Sequence, residues 1–175
     1  MRRLVGVGVS AIVMLGIIAT AGPARAEPLG NPLKVLAGKN TATGKCTSLN
    51  GSPVNGAKLF TWSCDNGTDQ RWHNDFRWVG GSYKMTLRDW TNKCVGLANR
   101  GSTANGTELV LWDCHYQPDQ IWFWEDRGIV NGVHAYAIRT QGSGECIGLA
   151  NLGSVANGTR HVLWDCHYHA DQLFY

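Results

Sequence analysis

Once its first 26 residues are set aside, the sequence lacks helical periodicity, net charge and closely spaced metal ligands. No later stretch repeats apolar residues at helical spacing, which excludes a helical bundle. Thirteen basic residues stand against thirteen acidic ones, so there is no field of positive charge to attract nucleic acid or an anionic membrane. No two cysteines lie two to four apart, which excludes the usual zinc-site spacing. There is no nucleophile elbow and no carboxylate pair set apart from its surroundings, so neither an enzyme nor a cofactor-dependent protein is expected. His167-Tyr168-His169 is the one hint of a metal. Loop histidines facing solvent are the commoner meaning of so short a motif, and no metal is expected.

The first 26 residues carry the apparent basicity. Arg2 and Arg3 precede an apolar run from Leu4 to Ala21, and Ala24-Arg25-Ala26 follows. A charged start, an apolar stretch and a small-residue site predict a secretory signal peptide over 1–26, cleaved after Ala26. The expected protein is secreted and extracellular, with no membrane insertion after cleavage. A retained membrane anchor is the alternative, because the run is long enough to cross a thin bilayer. Residues 27–175 suit one domain.

Six cysteines remain: Cys46, Cys64, Cys94, Cys114, Cys146 and Cys166. An even count in an exported chain predicts disulfides, and six thiols allow fifteen pairings. Here the cysteines come in pairs 18 to 20 residues apart, and the pairs recur about every fifty residues. That repetition selects Cys46–Cys64, Cys94–Cys114 and Cys146–Cys166. Each bridge closes a loop worth about 3 kcal/mol in the chain-entropy view.

The whole sequence after the leader repeats with the cysteines. Cys94-Val-Gly-Leu-Ala-Asn99, Asn105-Gly-Thr107, Leu111-Trp-Asp-Cys-His-Tyr116 and Asp119-Gln-Ile-Trp122 return as Cys146-Ile-Gly-Leu-Ala-Asn151, Asn157-Gly-Thr159, Leu163-Trp-Asp-Cys-His-Tyr168 and Asp171-Gln-Leu-Phe174. A looser copy holds Cys46-Thr-Ser-Leu49, Asn55-Gly56, Trp62-Ser-Cys64 and Asp69-Gln-Arg-Trp72. The repeats run over approximately 33–74, 75–124 and 125–175. Short alternating runs such as Tyr83–Leu87 and Leu109–Trp112 predict strands. The Asn-Gly pairs supply the positive φ of tight turns, although Asn66, Asn105 and Asn157 also match the N-glycosylation acceptor. Three such units cannot each bury an apolar face alone. A closed barrel with pseudo-threefold symmetry satisfies them; a three-bladed propeller is the alternative.

Gln-x-Trp near the end of the repeat, with paired cysteines bracketing Asn-Gly and Trp-x-Cys, resembles the ricin-type β-trefoil lectins, also known as carbohydrate-binding module family 13. The motif stands as Gln70-Arg-Trp72 and Gln120-Ile-Trp122, and departs to Gln172-Leu-Phe174. The resemblance spans about 33–175 and implies an all-β trefoil of twelve strands with one disulfide per repeat. It also implies a non-catalytic lectin recognising a polysaccharide or surface glycan. A protein-binding trefoil that has lost sugar recognition, with a secreted protein partner, is the alternative.

The family's sugar pocket implies particular residues. An Asp two positions after the first cysteine of the repeat is usual, but Ser48, Gly96 and Gly148 stand there. The aromatic platform is present as Trp62, Trp112 and Trp164. An amide and a histidine found in some bacterial members match Asn99 with His115 and Asn151 with His167, whereas the first repeat has Gly51 and Asp65. Before the motif glutamine, where Asn is common, this chain has Asp69, Asp119 and Asp171. The candidate ligand-binding set is therefore Asn99, Trp112, His115, Asp119, Asn151, Trp164, His167 and Asp171. In one reading Asp119 and Asp171 replace the missing acid from the other side of the pocket; in the other they cap a turn. Asp113 and Asp165 are expected to be structural, and the motif Gln and aromatic residues to be core fasteners.

Overall fold

The computed structural model describes residues 45–175 and two short strands before them, β1 (Asn31–Pro32) and β2 (Lys34–Val35). The leader assigned to 1–26 lies outside the described residues. The strands that follow, joined by turns and short 3-10 segments, are β3 (Lys45–Leu49), β4 (Leu59–Ser63), β5 (Arg71–Val79), β6 (Ser82–Asp89), β7 (Cys94–Leu97), β8 (Leu109–Trp112), β9 (Trp122–Val130), β10 (Val133–Thr140), β11 (Cys146–Leu149), β12 (Thr159–Trp164) and β13 (Leu173–Phe174). The family's twelve strands become thirteen because the first run has two pieces with different partners. β1 lies against β5, whereas β2 sits between β3 and β13. Among the described residues no helix is long and apolar enough to cross a membrane.

Closure is a ring of three equivalent junctions. β4 meets β8 at Lys58–Val110, β8 meets β12 at Glu108–Val162, and β12 meets β4 through Thr159–Thr61 and Arg160–Phe60. A propeller would keep each repeat's strands within one blade. Here one strand of every repeat hands on to the next, which makes a barrel and removes its sheet edges. The all-β trefoil with pseudo-threefold symmetry is the observed fold.

The Asn-Gly turns make these junctions. Gly56, Gly106 and Gly158 have φ of +87°, +88° and +85°, which glycine adopts without steric cost. Their N–H groups donate across the junctions to the carbonyls of Leu111, Leu163 and Thr61, at 2.8, 2.8 and 2.9 Å. The Asn55 amide donates to Asp113 Oδ2 and the Asn105 amide to Asp165 Oδ2, both at 2.8 Å. Asp113 and Asp165 therefore tie repeats together. Lys93 and Asn55 hold the Asp113 carboxyl below its ordinary range.

Each repeat also closes on itself. The disulfides are Cys46–Cys64, Cys94–Cys114 and Cys146–Cys166, with Cα separations of 5.1, 5.1 and 5.0 Å, within the ordinary range. Gln70, Gln120 and Gln172 are fully buried. Gln120 accepts the N–H of His115 at 2.8 Å and donates to the carbonyl of Asp113 at 3.1 Å. Gln172 does the same with His167 and Asp165, and Gln70 with Asp65 and Ser63. One side chain thus satisfies two backbone groups on either side of the second cysteine, a carbonyl before it and an N–H after it, groups that would otherwise be costly to bury. The core beneath gathers Leu49, Leu59, Leu97, Leu109, Leu111, Trp72, Trp122 and Phe174.

Candidate functional site

Beside β7–β8 and again beside β11–β12 the chain makes an unusual turn. After β7, Asn99, Arg100 and Gly101 take φ of +54°, +60° and +79°. After β11, Asn151, Leu152 and Gly153 take +54°, +57° and +77°. These are left-handed turns rather than helices; asparagine tolerates that backbone, whereas Arg100 and Leu152 each cost about 1–2 kcal/mol there. The surrounding structure holds the first of them. Ala98 N–H donates to Glu108 at 2.9 Å, and Ser102 N–H to Ala98 at 3.2 Å. The turn brings Asn99 over the strand pair β7–β8, and its copy brings Asn151 over β11–β12.

Two clefts result. One, of about 450 Å³, is lined by Asn99, Trp112, His115 and Asp119, with Arg100 and Gln117 at its edge. The other, of about 480 Å³, is lined by Asn151, Trp164, His167 and Asp171, with Leu152 and His169. Each set of four sequence-predicted residues therefore meets in one cleft. Trp112 and Trp164 are 46% and 44% exposed, so both rings offer an open face to a ligand instead of filling the core. The first repeat has only about 120 Å³ beside Ser48, Trp62, Asp65 and Asp69. There the Ser48 hydroxyl donates to Asp69 Oδ2 and occupies the acceptor.

The two glycines that displace the usual acid make room for its neighbour. A Cβ at Gly96 would lie 2.9 Å from Gln120 Cγ and 3.5 Å from Asp119 Oδ2. A Cβ at Gly148 would lie 3.1 Å from Gln172 Cγ and 3.6 Å from Asp171 Oδ2. The Asp119 and Asp171 carboxylates thus stand against the space where an acid at 96 or 148 would begin. From the opposite side, a Cβ at Gly101 would meet Asp119 Cβ at 2.9 Å, and one at Gly153 would meet Asp171 Cβ at 3.0 Å. Gly101→Ala is accordingly expected to displace Asp119. A shift of the Asp119 carboxyl resonance with little change in the other pocket would show it.

The histidines face the same carboxylates. His115 Nε2 is 3.6 Å from Asp119 Oδ2, and His167 Nε2 is 3.7 Å from Asp171 Oδ2. Both carboxylates are mostly buried, with side chains 19% and 15% exposed. Each cleft therefore presents an aromatic face, an amide, an imidazole and a carboxylate acceptor at one end. Arg100, Gln117 and Leu152 line the clefts without having been marked in the sequence, and His169 was marked there only within the short His-x-His hint of a metal. Copies two and three differ at each of these positions, Arg100 against Leu152 and Gln117 against His169, so comparison of the copies held the signal.

A family model for the ricin-type beta-trefoil lectin domain matches residues 36–136. No curated protein sequence matches the chain. Among solved structures, the designed threefold-symmetric protein ThreeFoil is similar, with TM-score 0.66 and 21% identity over 81% of this chain and 94% of that one. The Macrolepiota procera ricin B-like lectin, solved with lactose, gives 0.57 and 22% over 83% and 94%. An exo-beta-1,3-galactanase from Clostridium thermocellum gives 0.67 and 19% over 85% of this chain but 30% of its own. These likenesses concern the fold. With more than half of its length matched by the family model, the chain belongs to the ricin-type β-trefoil lectin domain family.

Proposed function

We propose that the protein is a secreted, non-catalytic lectin that binds a polysaccharide or dense surface glycan through its second and third clefts. The observation that carries this reading is the placement of Asp119 and Asp171 beside the space left by Gly96 and Gly148. A sugar stacked on Trp112 or Trp164 turns its apolar face to the indole and its hydroxyls to the carboxylate, the amide and the imidazole. A charged acceptor makes hydrogen bonds of about 1.5–3 kcal/mol, roughly twice a neutral one. Two shallow sites on one rigid body gain by effective concentration, which favours a polymer over a free monosaccharide. Export is supported by the leader and by the pairing of all six cysteines, since disulfides persist in oxidising compartments.

Tryptophan fluorescence during titration with galactose-, xylose- and glucose-based polysaccharides tests the reading. Asp119→Asn and Asp171→Asn keep the side-chain shape and remove the charge. Each is expected to weaken its own cleft about tenfold, and the pair to abolish binding to the polymer. Trp112→Ala with Trp164→Ala should remove the fluorescence response. Full affinity in the double Asn variant would overturn the assignment of the carboxylates. Silence of the wild-type protein across the panel would overturn the lectin reading in favour of protein binding.

A further inference from the structure

Copies two and three share the cleft but not its chemistry. In the third, His167, His169 and Asp171 bring one ligand atom each to within 4.8 Å of one another. It is the one such group of His, Cys, Asp and Glu among the described residues. The two rings lie 4.6 Å apart, centroid to centroid, and His167 Nε2 is 3.7 Å from Asp171 Oδ2. In the second copy the place of His169 is taken by Gln117, leaving only His115 and Asp119. An amide is a poor ligand for a borderline transition metal, whereas two imidazoles and a carboxylate are a usual three-ligand set for one.

We propose that the third cleft is a binding site for a divalent transition-metal ion of the zinc class, held by His167, His169 and Asp171, and that the second cleft is not. The inference is independent of the lectin reading, because it concerns the cation alone. Several features of the geometry support it.

The three residues lie on one short stretch, from the loop after Cys166 into the turn at Ala170–Gln172. Gln172 fixes that stretch by accepting the N–H groups of His167 and Tyr168 at 2.8 and 3.0 Å. The ligands are therefore carried by a pinned backbone, and little ordering remains to be done on binding. Both histidines are exposed and line an open cleft, so a hydrated ion can enter and keep water in its remaining positions, as in three-ligand zinc sites.

One rearrangement is required. His167 Nδ1 accepts the His169 N–H at 3.2 Å, which places the ring proton of neutral His167 on Nε2. A modest rotation of the ring about χ2 breaks that contact, so that Nδ1 can take the proton and the Nε2 lone pair, still beside Asp171, is free for the metal. The terminal imidazole torsion is soft and two-fold. The ring gives up one long neutral hydrogen bond.

The copies supply their own controls. Tag-free protein is titrated with Co²⁺, read by visible d–d absorption, and with Zn²⁺, read by calorimetry. One equivalent is expected for the wild type. His169→Gln, which installs the residue of the second copy at an exposed position, should weaken that equivalent at least tenfold. Gln117→His should create a second equivalent, and circular dichroism should show both variants folded. Absence of a stoichiometric equivalent in the wild type would overturn the proposal. So would an equivalent unchanged in His169→Gln, or two equivalents in the wild type.

Discussion

Trp122→Ala is expected to destabilise the protein by about 3–5 kcal/mol, the usual cost of deleting a buried aromatic side chain. Trp122 is fully buried in the central cluster, and its indole N–H donates to the carbonyl of Val95 at 3.0 Å. Alanine would leave a cavity in the central apolar cluster and would strip that carbonyl of its side-chain donor. For a domain of this size such a loss lowers Tm by roughly 10 °C or more. The third repeat provides the comparison, because Phe174 fills the equivalent place without an indole donor and is likewise fully buried. Trp122→Phe should therefore cost much less, about 1–2 kcal/mol, by loss of the hydrogen bond and some volume. Urea unfolding of the two variants, with disulfides intact, separates these outcomes. A loss below about 1 kcal/mol for Trp122→Ala would contradict its role as a core fastener.

Acid is expected to destabilise the protein from pH 6.5 downward, and His161→Leu is expected to remove most of that sensitivity between pH 6.5 and 5. His161 is completely buried. Burial pushes its imidazole down from 6.5 to about 3, with the Phe60 backbone offsetting a part. Between those values the unfolded chain binds a proton that the folded protein does not. The stabilising contribution is thus complete above pH 6.5 and falls as pH drops toward 3, at up to about 1.4 kcal/mol per unit. From pH 7 to 5 the wild type should lose about 2 kcal/mol more than His161→Leu. Glu108 and Glu125 have lowered pKa values, against an ordinary 4.5, and their ion pairs weaken only at lower pH. Denaturant unfolding at pH 7 and pH 5 reads the difference. Equal losses in the two proteins would place the acid sensitivity elsewhere.

His161 also marks where the threefold pattern breaks in the core. It stands at the place of Leu59 and Leu109, and Thr61 stands at the place of Leu111 and Leu163. The two polar residues meet across β4 and β12, with Thr61 Oγ1 at 3.4 Å from His161 Nε2. His161 Nδ1 has no hydrogen-bond partner among the described residues. Leucine at 161 would rebuild the apolar layer present in the other repeats, so the variant should be at least as stable as the wild type at pH 7.

The first repeat shows how a shared sequence pattern can hold the fold without holding the cleft. It keeps the disulfide, the buried Gln70 and Trp72, whose indole donates to Thr47 at 2.9 Å. It also keeps an exposed Trp62. What it lacks is the left-handed amide turn, and its Asp69 is held by Ser48. Closure depends on the elements it kept, and the cleft on those it lost.

The sequence by itself determined whatever recurs along the chain. The period of about fifty residues dictated three units. The cysteine spacing dictated the bridges, and Gln120 with Trp122, repeated as Gln172 with Phe174, dictated the fasteners. These are local relations, settled within one repeat, and a period makes them visible. Tertiary structure alone decided what lies between repeats and across a cleft. It joined Asn55 to Asp113 over a junction, and set Asp119 where Gly96 leaves space. It also brought Asp171 to the His167–His169 pair. The physical reason is that these contacts depend on backbone direction, above all the left-handed turns at Asn99 and Asn151. Neither residue spacing nor composition specifies where such a turn points.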